Sequence, residues 1–438
     1  MTSACGFATN FSTEAFEEFL ASREEPGWVT ELRRDAWEAC NELPIPDASL
    51  EEWRRTDLRL FRLDRFGLSL APRRGAVMPA PLLAEGVDVA GQTLALDSHV
   101  VESRLAGDLA RRGVLFGSLE SLLSRHEALL KRYALQRLVD LRQDKFAALH
   151  AAAWSGGTVL YVPPGVVVDR PLHMLSALSA GASDFGRALI VIEEGAEATV
   201  LAETASSDPA APGLHCGAVE ILVGPNARLR YVNLQNWGAG VWHFAHQKAL
   251  VHGGAQLQWT IGALGGRLAQ VNQHVALVGR RAVAQVNGVM FTEGKQHLTY
   301  NTLQHHTSAE CTSDLLYKGA LQDKSRLVWR GMIRVDPDAQ KTDGYQRNDN
   351  LILSDSARAD SIPGLEIQAD DVKCSHGATA GRVDDEQVFY ACSRGLTRKE
   401  AVRMIVAGFF QQVFDRITIQ SVRDALGEAI RRRVREYR

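Results

Sequence analysis

The sequence predicts a mainly β protein, a parallel β-helix of short strands flanked by helical segments at both ends. Three observations carry this. Apolar and polar residues alternate through Ala227-Arg228-Leu229-Arg230-Tyr231 and from Ala255 to Ile261; glycines and polar corners bound runs of strand length; and small residues recur at Ala196, Ala227, Ala255, Ala282 and Ala309, in steps of 31, 28, 27 and 27. Alternation puts every second side chain on one face of a strand. A repeat of this length, with no helical pattern between strands, fits a coil whose turns each hold two or three strands, every strand pairing with those above and below. A β-sandwich shares the alternation but not the in-register corner. A left-handed hexapeptide coil needs a strict period of six, which is absent.

In chain order, Ser12 caps a helix carrying Phe16, Phe19 and Leu20, and Pro26 suits the first turn of a second helix carrying Val29, Leu32, Ala36 and Cys40. Ala71 to Pro81 holds three prolines and reads as an extended connector. In a mixed segment, Ser118 to Arg132 predicts one helix from Leu119, Leu122, Leu123 and Leu130, and a further helix near Asp144 to Trp154 ends at Ser155-Gly156-Gly157. Echoes at Lys324 to Leu327 and Asp355 to Arg358 carry the coil to about Val372. Thr397 and Glu400 then form a capping box before an apolar stripe of Val402, Ile405, Val406, Phe409, Phe410, Val413 and Ile417, and a last helix carries Val422, Ala425, Leu426, Ala429, Ile430 and Val434. The stripe either packs internally or presents Ile405, Phe409, Phe410 and Val413 to a partner. The expected division is a mixed helical domain over 1–150, the β-helix over 151–385 and a helical domain over 386–438.

A chain of 438 residues, 45% hydrophobic and 23% charged, can bury a large core, and its formal net charge of −3 gives no global reason to expect nucleic acid or an anionic membrane as partner. Glu14, Glu17 and Glu18 stand where a signal peptide needs an apolar core, and no run approaches a membrane span, so a cytoplasmic protein is expected. The sequon Asn10-Phe11-Ser12 then has no meaning. Cys5, Cys40, Cys216, Cys311, Cys374 and Cys392 contain no C-x-x-C pair. No phosphate-binding loop, dinucleotide fingerprint, nucleophile elbow or H-E-x-x-H is present, so no enzyme is expected. The rival class is a β-helix enzyme acting on polysaccharide, which works through acids and bases clustered along one groove, usually outside the cell.

The most chemically loaded segment is ADDVKCSHGATAG. If it is extended, Cys374 and His376 project to one side, and a thiolate and an imidazole suit one soft or borderline metal. A closed tetrahedral site takes more donors than these two, so the rest must come from elsewhere in the fold or from a second chain. A second candidate is His305, His306 and Cys311, of which at most one histidine accompanies the cysteine inward. His243 and His246 read as packing at a coil corner. Arg431, Arg432, Arg433, Arg435 and Arg438 suit either a solvated helix C-terminus or an acidic partner surface.

The run from Lys341 to Gly395, containing CSHG and YACSRG, closely resembles the SufD family, scaffold subunits of the SUF iron–sulfur cluster assembly machinery; so do EEWRRTDL (Glu51 to Leu58) and KFAALHAAAWSGGTVLYVPPGV (Lys145 to Val166). The resemblance implies a right-handed parallel β-helix between two helical domains. It implies a complex with the paralogue SufB, paired through the C-terminal end of the β-helix, and with the ATPase SufC on the helices of Val402 to Val434. It places Cys374 and His376 at the SufB interface, where carboxylates and a cysteine of SufB complete a site for transient iron or an iron–sulfur cluster. Flavin is then an expectation for the assembled complex, a homodimer for the chain without partners, and no cofactor for the isolated chain. The alternative within the same machinery is a SufB-like cluster-carrying subunit, which would place carboxylates near positions 374 to 376.

Overall fold

The computed structural model describes residues 7–8, 11–73, 75–134 and 138–434; Cys5, Asn10, Arg435 and Arg438 lie outside these. The chain winds into a coil in which each turn gives one strand to each of two sheets. The first sheet holds Leu172–Leu178, Glu197–Ser206, Arg228–Asn236, Gln256–Ala263, Val283–Thr292, Thr312–Leu321, Asp343–Ile352 and Lys373–Arg382. The second holds Gly156–Val162, Gly186–Ile192, Pro212–Val223, Gly240–Val251, Leu268–Leu277, His297–His306, Arg326–Val335 and Arg358–Ile367. Neighbours within each of these two sets run parallel, and the last strand, Lys373–Arg382, follows the echo that ends near Val372.

The recurring small residue is a corner between the sheets. In successive turns a residue in the left-handed region, with φ between 56° and 66°, precedes a buried small one: Gly195-Ala196, Asn226-Ala227, Gly254-Ala255, Arg281-Ala282, Glu310-Cys311 and Lys341-Thr342. The left-handed residue swings the chain from one sheet to the other, and its N–H donates to a carbonyl of the next turn, as from Asn226 to Gly253 at 2.9 Å. A larger side chain after it would wedge the stacked corners apart. Ala309 is therefore not the fifth corner. Its carbonyl accepts from Arg281 N–H, while Cys311 fills the small position. The offset arises because Val283–Thr292 has 10 residues where Gln256–Ala263 has 8.

Large aromatics fill the coil interior: Tyr231, Trp259, Tyr300, Tyr317 and Trp329 are fully buried. Trp329 lies across Gly331, where a Cβ would meet the indole at 2.1 Å, so this position requires glycine. The two ends differ. At the N-terminal end each sheet closes with an antiparallel strand: His99–Leu105 on Gly91–Leu96, which itself continues the first sheet, and Leu115–Ser118 on Gly156–Val162. At the C-terminal end Arg358–Ile367 and Lys373–Arg382 are paired on one side only.

The helices are α1 (Thr13–Ala21), α2 (Gly27–Glu42), α3 (Gly107–Arg111), α4 (Leu119–Arg125), α5 (Glu127–Ala134), α6 (Lys145–Ala153), α7 (Asp385–Ser393), α8 (Arg398–Phe414) and α9 (Gln420–Arg433). Ser12 caps α1 through the Ala15 N–H at 3.2 Å, whereas Pro26 occupies the cap of α2 rather than its first turn. The single helix expected over Ser118 to Arg132 is two, because His126 leaves helical geometry with φ −129° and ψ 39°. No helix among the described residues is long and apolar enough to cross a membrane.

Helices α1, α2 and α6 cover the outer face of the second sheet, with Phe146 stacked on Phe244 at 3.7 Å and Phe16 on Trp37 at 4.4 Å. The segment Glu51 to Leu58 straps them down. Trp53 stacks on Phe146, the buried Thr56 hydroxyl bonds Gln270 Oε1 at 2.7 Å and Thr299 Oγ1 at 2.9 Å, and the Glu52 carbonyl accepts from Gln270 Nε2 at 3.0 Å. Thr56→Val keeps the volume and strands the buried Gln270 Oε1, so a loss of about 1–3 kcal/mol is expected in urea unfolding. Arg54→Ala, on the exposed side of the strap, is expected to change stability by less than about 0.5 kcal/mol.

Candidate functional site

The open end of the coil is where the predicted donors stand. Cys374 lies in register with Gly344 and Ser313, and His376 with Gln346 and Leu315. Leu315 and Tyr317 belong to the interior core, so Cys374, His376, Ala378 and Ala380 face the interior at the last turn, beyond which no further strand pairs among the described residues. Across the coil, Leu365 and Ile367 stack on the fully buried Ile333 and Val335, yet remain 37% and 40% exposed. An apolar lining and two metal-capable donors thus share one uncapped mouth.

Cys374 is half-buried against Ile333, Val335, Ala339 and Ala369, and burial pushes its thiol upward. A protonated thiol is a poor ligand, so a metal must displace that proton. His376 is exposed. Among the described residues no group of three or more histidine, cysteine, aspartate or glutamate side chains stands ready to hold a metal ion. The pair is therefore part of a donor set, short of the complement a structural or catalytic site uses.

The second candidate does not converge. His305 faces outward to Asp336 at 2.9 Å, His306 faces inward to Ser313 Oγ at 2.8 Å, and the Cys311 thiol donates to the Gly279 carbonyl at 3.2 Å inside the corner stack. His246 reaches Asp144 Oδ2 at 3.0 Å while Asp144 Oδ1 caps α6, so this histidine anchors a helix to the coil. Arg431 and Arg432 pair with Glu428, and Arg433 reaches Asn236 Oδ1 at 2.7 Å. Cys392 packs at the edge of the C-terminal core.

The stripe on α8 is corrected by its surroundings. Phe410 and Val413 are fully buried between α8, α9 and the outward side chains Leu201, Leu234, Phe291 and Leu316 of the first sheet. Ile405 and Phe409 are half-buried on the same core. The sheet holds these helices by their backbones as well, with Lys318 Nζ on the Phe409 carbonyl at 3.1 Å and Gln258 Nε2 on the Arg416 carbonyl at 2.8 Å. Phe410 and Val413 serve internal packing. The exposed apolar residues of this region are Phe389, Tyr390 and Met404, at 75%, 61% and 53%.

Sequence reasoning missed a chamber of about 110 Å³ inside the early turns, where His215, His243, Asn233, Gln235 and Gln247 line it beside Tyr231 and other apolar residues. Trp237 Nε1–H donates to His243 Nδ1 at 3.1 Å, so His215 Nδ1, 2.7 Å away, carries the proton between the two rings. Burial takes His215 down to about 3. The only signal was Asn233 and Gln235 alternating with Val232 and Leu234, which reads as a polar outer face.

The chain is similar to known proteins along most of its length. The family model described as SUF system FeS cluster assembly, SufBD core domain, matches residues 174–409, and that of the SufBD protein N-terminal region matches residues 14–174. An iron–sulfur cluster assembly SufBD family protein of Staphylococcus haemolyticus is 28% identical over 410 residues, covering 90% of this chain and 87% of the relative. Similar proteins of Staphylococcus saprophyticus and Staphylococcus aureus are 30% and 27% identical over the same lengths.

Proposed function

The chain belongs to the SufBD family of iron–sulfur cluster assembly proteins, and from that membership we propose that it is a SufD-type scaffold of a cytoplasmic SUF complex, with no active site of its own. The observation that carries the reading is the contrast between the coil's ends. One end closes with antiparallel strands and helices; the other leaves two strand edges, an apolar mouth and the Cys374–His376 pair uncovered. Unpaired edges are templates for association, and a second coil covers all of these features at once.

The partner at that end is a SufB-type chain; in its absence a second copy takes the same place as a homodimer. A SufC-type ATPase docks on the outer faces of α7 and α8 around Phe389, Tyr390 and Met404, since Phe410 and Val413 are buried in the chain's own core. Iron or a nascent cluster is cargo rather than a resident group. His376 offers an imidazole nitrogen and Cys374 a sulfur that must first shed its proton, so loading is favoured by rising pH and by a base on the partner. The partner supplies the remaining donors.

Co-expression with SufB-type and SufC-type chains, followed by native mass and iron analysis, tests the reading. One assembly carrying all three chains is expected, and a chain that stays apart overturns it. His376→Ala is expected to leave the melting of this chain unchanged, because the side chain is exposed in it, and to lower the iron–sulfur cluster yield by about ten-fold. An unchanged yield removes His376 from the donor set.

A further inference from the structure

Towards the open end the coil interior is filled by Trp259, Tyr300, Tyr317 and Trp329, but in the early turns small residues meet inside it. Gly217 is in register with Ala245, Ala188 with Val219, and Ala202 with Asn233. Side chains too short to reach across leave the space of about 110 Å³ between the sheets. The second sheet lends it His215, His243 and Gln247, and the first lends Tyr231, Asn233 and Gln235. A Cβ at Gly217 would meet the His215 ring at 2.4 Å, so this glycine lets the ring fold over its own strand.

The lining carries hydrogen-bonding groups that the chain does not use. Gln235 Nε2 donates to the Gly265 carbonyl, while Gln235 Oε1 and Gln247 Oε1 are buried without a partner among the described residues. Trp237 Nε1–H and His215 Nδ1–H both donate to His243 Nδ1, so His243 carries its own proton on Nε2 and His215 Nε2 is bare, 3.7 Å from Asp184 Oδ1. Three acceptors and one N–H donor thus line the space, beside the Tyr231 hydroxyl and the Asn233 amide, which serve in either sense. The charges nearby are already answered. Arg187 pairs with Glu220, Glu203 takes up His173 and the Leu82 and Leu83 amides, and Asp184 accepts from Ser98, Ser176 and Gly186. Burial keeps both imidazoles neutral, so an ion entering the chamber would find no counter-charge.

A cavity of about 150 Å³ admits benzene, so this one suits a molecule of about four to six non-hydrogen atoms. A lining richer in acceptors than in N–H donors calls for a ligand with the opposite balance. We propose that the chamber is a binding site for a small primary amide or urea-type molecule, whose N–H groups answer Gln235 Oε1 and Gln247 Oε1 and whose carbonyl accepts from His243 Nε2–H. Ordered waters offer the same hydrogen bonds from another source, and probes of one shape separate the two.

Acetamide, acetate and acetone share one shape, but only acetamide brings N–H donors, and acetate adds a charge. Each is added to the full chain, with binding read by saturation-transfer NMR and by melting, and located in a crystal structure of the soaked chain. Acetamide is expected in the chamber and to raise the melting midpoint, with acetate and acetone bound about ten-fold more weakly. Gln247→Leu removes a buried carbonyl that has no partner. It is expected to melt no earlier than the native chain and to weaken acetamide about ten-fold. Water alone in the chamber at saturating acetamide, acetamide bound at crystal concentration only with no melting shift, or equal binding of the three probes overturns the proposal. A Gln247→Leu chain that melts much earlier also overturns it, because water then already satisfies that carbonyl.

Discussion

Phe410→Asp is expected to detach α8 and α9 from the coil and to cost the chain more than about 4 kcal/mol. Truncating a fully buried phenylalanine alone costs about 3–5 kcal/mol, because the cavity left between α8 and the sheet only partly collapses. The carboxyl adds a desolvation cost inside a cluster that holds Leu234, Phe291, Leu316, Leu426 and Ile430. The consequence is specific. Released helices withdraw the carbonyls that Lys318, Gln258 and Gln322 now satisfy, so the outer face of the first sheet loses apolar cover and hydrogen bonds together. Limited proteolysis is expected to cut first between Leu396 and Gln420, and thermal unfolding to show an early phase absent from the native chain. Met404→Asp, on the exposed side of the same helix, is expected to melt as the native chain does. A Phe410→Asp chain with native melting would overturn this account of the packing. Under the proposed docking of an ATPase on α7 and α8, the pair also separates two meanings of lost binding: after Phe410→Asp it reports a damaged fold, after Met404→Asp a damaged surface.

The ambiguity of that stripe shows where the sequence stopped being legible. An amphipathic helix carries the same period whether its apolar face meets its own coil or another protein. The deciding signal lay in the strands. Val289-Met290-Phe291 and Leu315-Leu316-Tyr317 are apolar on consecutive residues, hence on both faces, as in a sheet covered on both sides. The coil itself was legible because its corners recur: a left-handed residue followed by a small one is a local requirement, repeated every turn. Only the fifth corner slipped, where a longer strand moved the small position from Ala309 to Cys311. Cys374 and His376 were legible as a same-side pair, and the structure adds that this side faces an open interior. Nothing in the sequence marked His215, Gln235 and Gln247 as interior, since polar residues in alternation read as solvent-facing until the sheets are assembled.

Those inward histidines set the second large effect, a loss of stability in mild acid. His306, inside the coil against Ser313 Oγ, is lowered from 6.5 to about 4 by burial and, less strongly, by His305; His215 is lowered to about 3 by burial. Each is held neutral in the fold and protonates readily once unfolded. A depressed folded value means that the stabilising contribution is fully present above the unfolded value of 6.5 and is lost as pH falls through the folded value. For each histidine this amounts to a quantity on the order of 3 kcal/mol. Asp184 acts in the opposite sense. Burial raises its carboxyl to about 6, so its contribution is present below the ordinary carboxylate value and fades as pH rises through 6, offsetting part of the histidine loss between about pH 4 and 6. The histidines outnumber it, because His99 and His297 are also lowered to about 4, so the net slope is downward. The unfolding midpoint in urea is therefore expected to be flat from pH 8 to about 7 and to fall steeply towards pH 4. His306→Gln keeps a side-chain donor within reach of Ser313 and removes one titrating group, so its stability should fall less than that of the native chain over this interval, by on the order of 3 kcal/mol. A variant with the native slope would show that His306 takes up no proton on unfolding, and that the polar core of the late turns is already open to water in the fold.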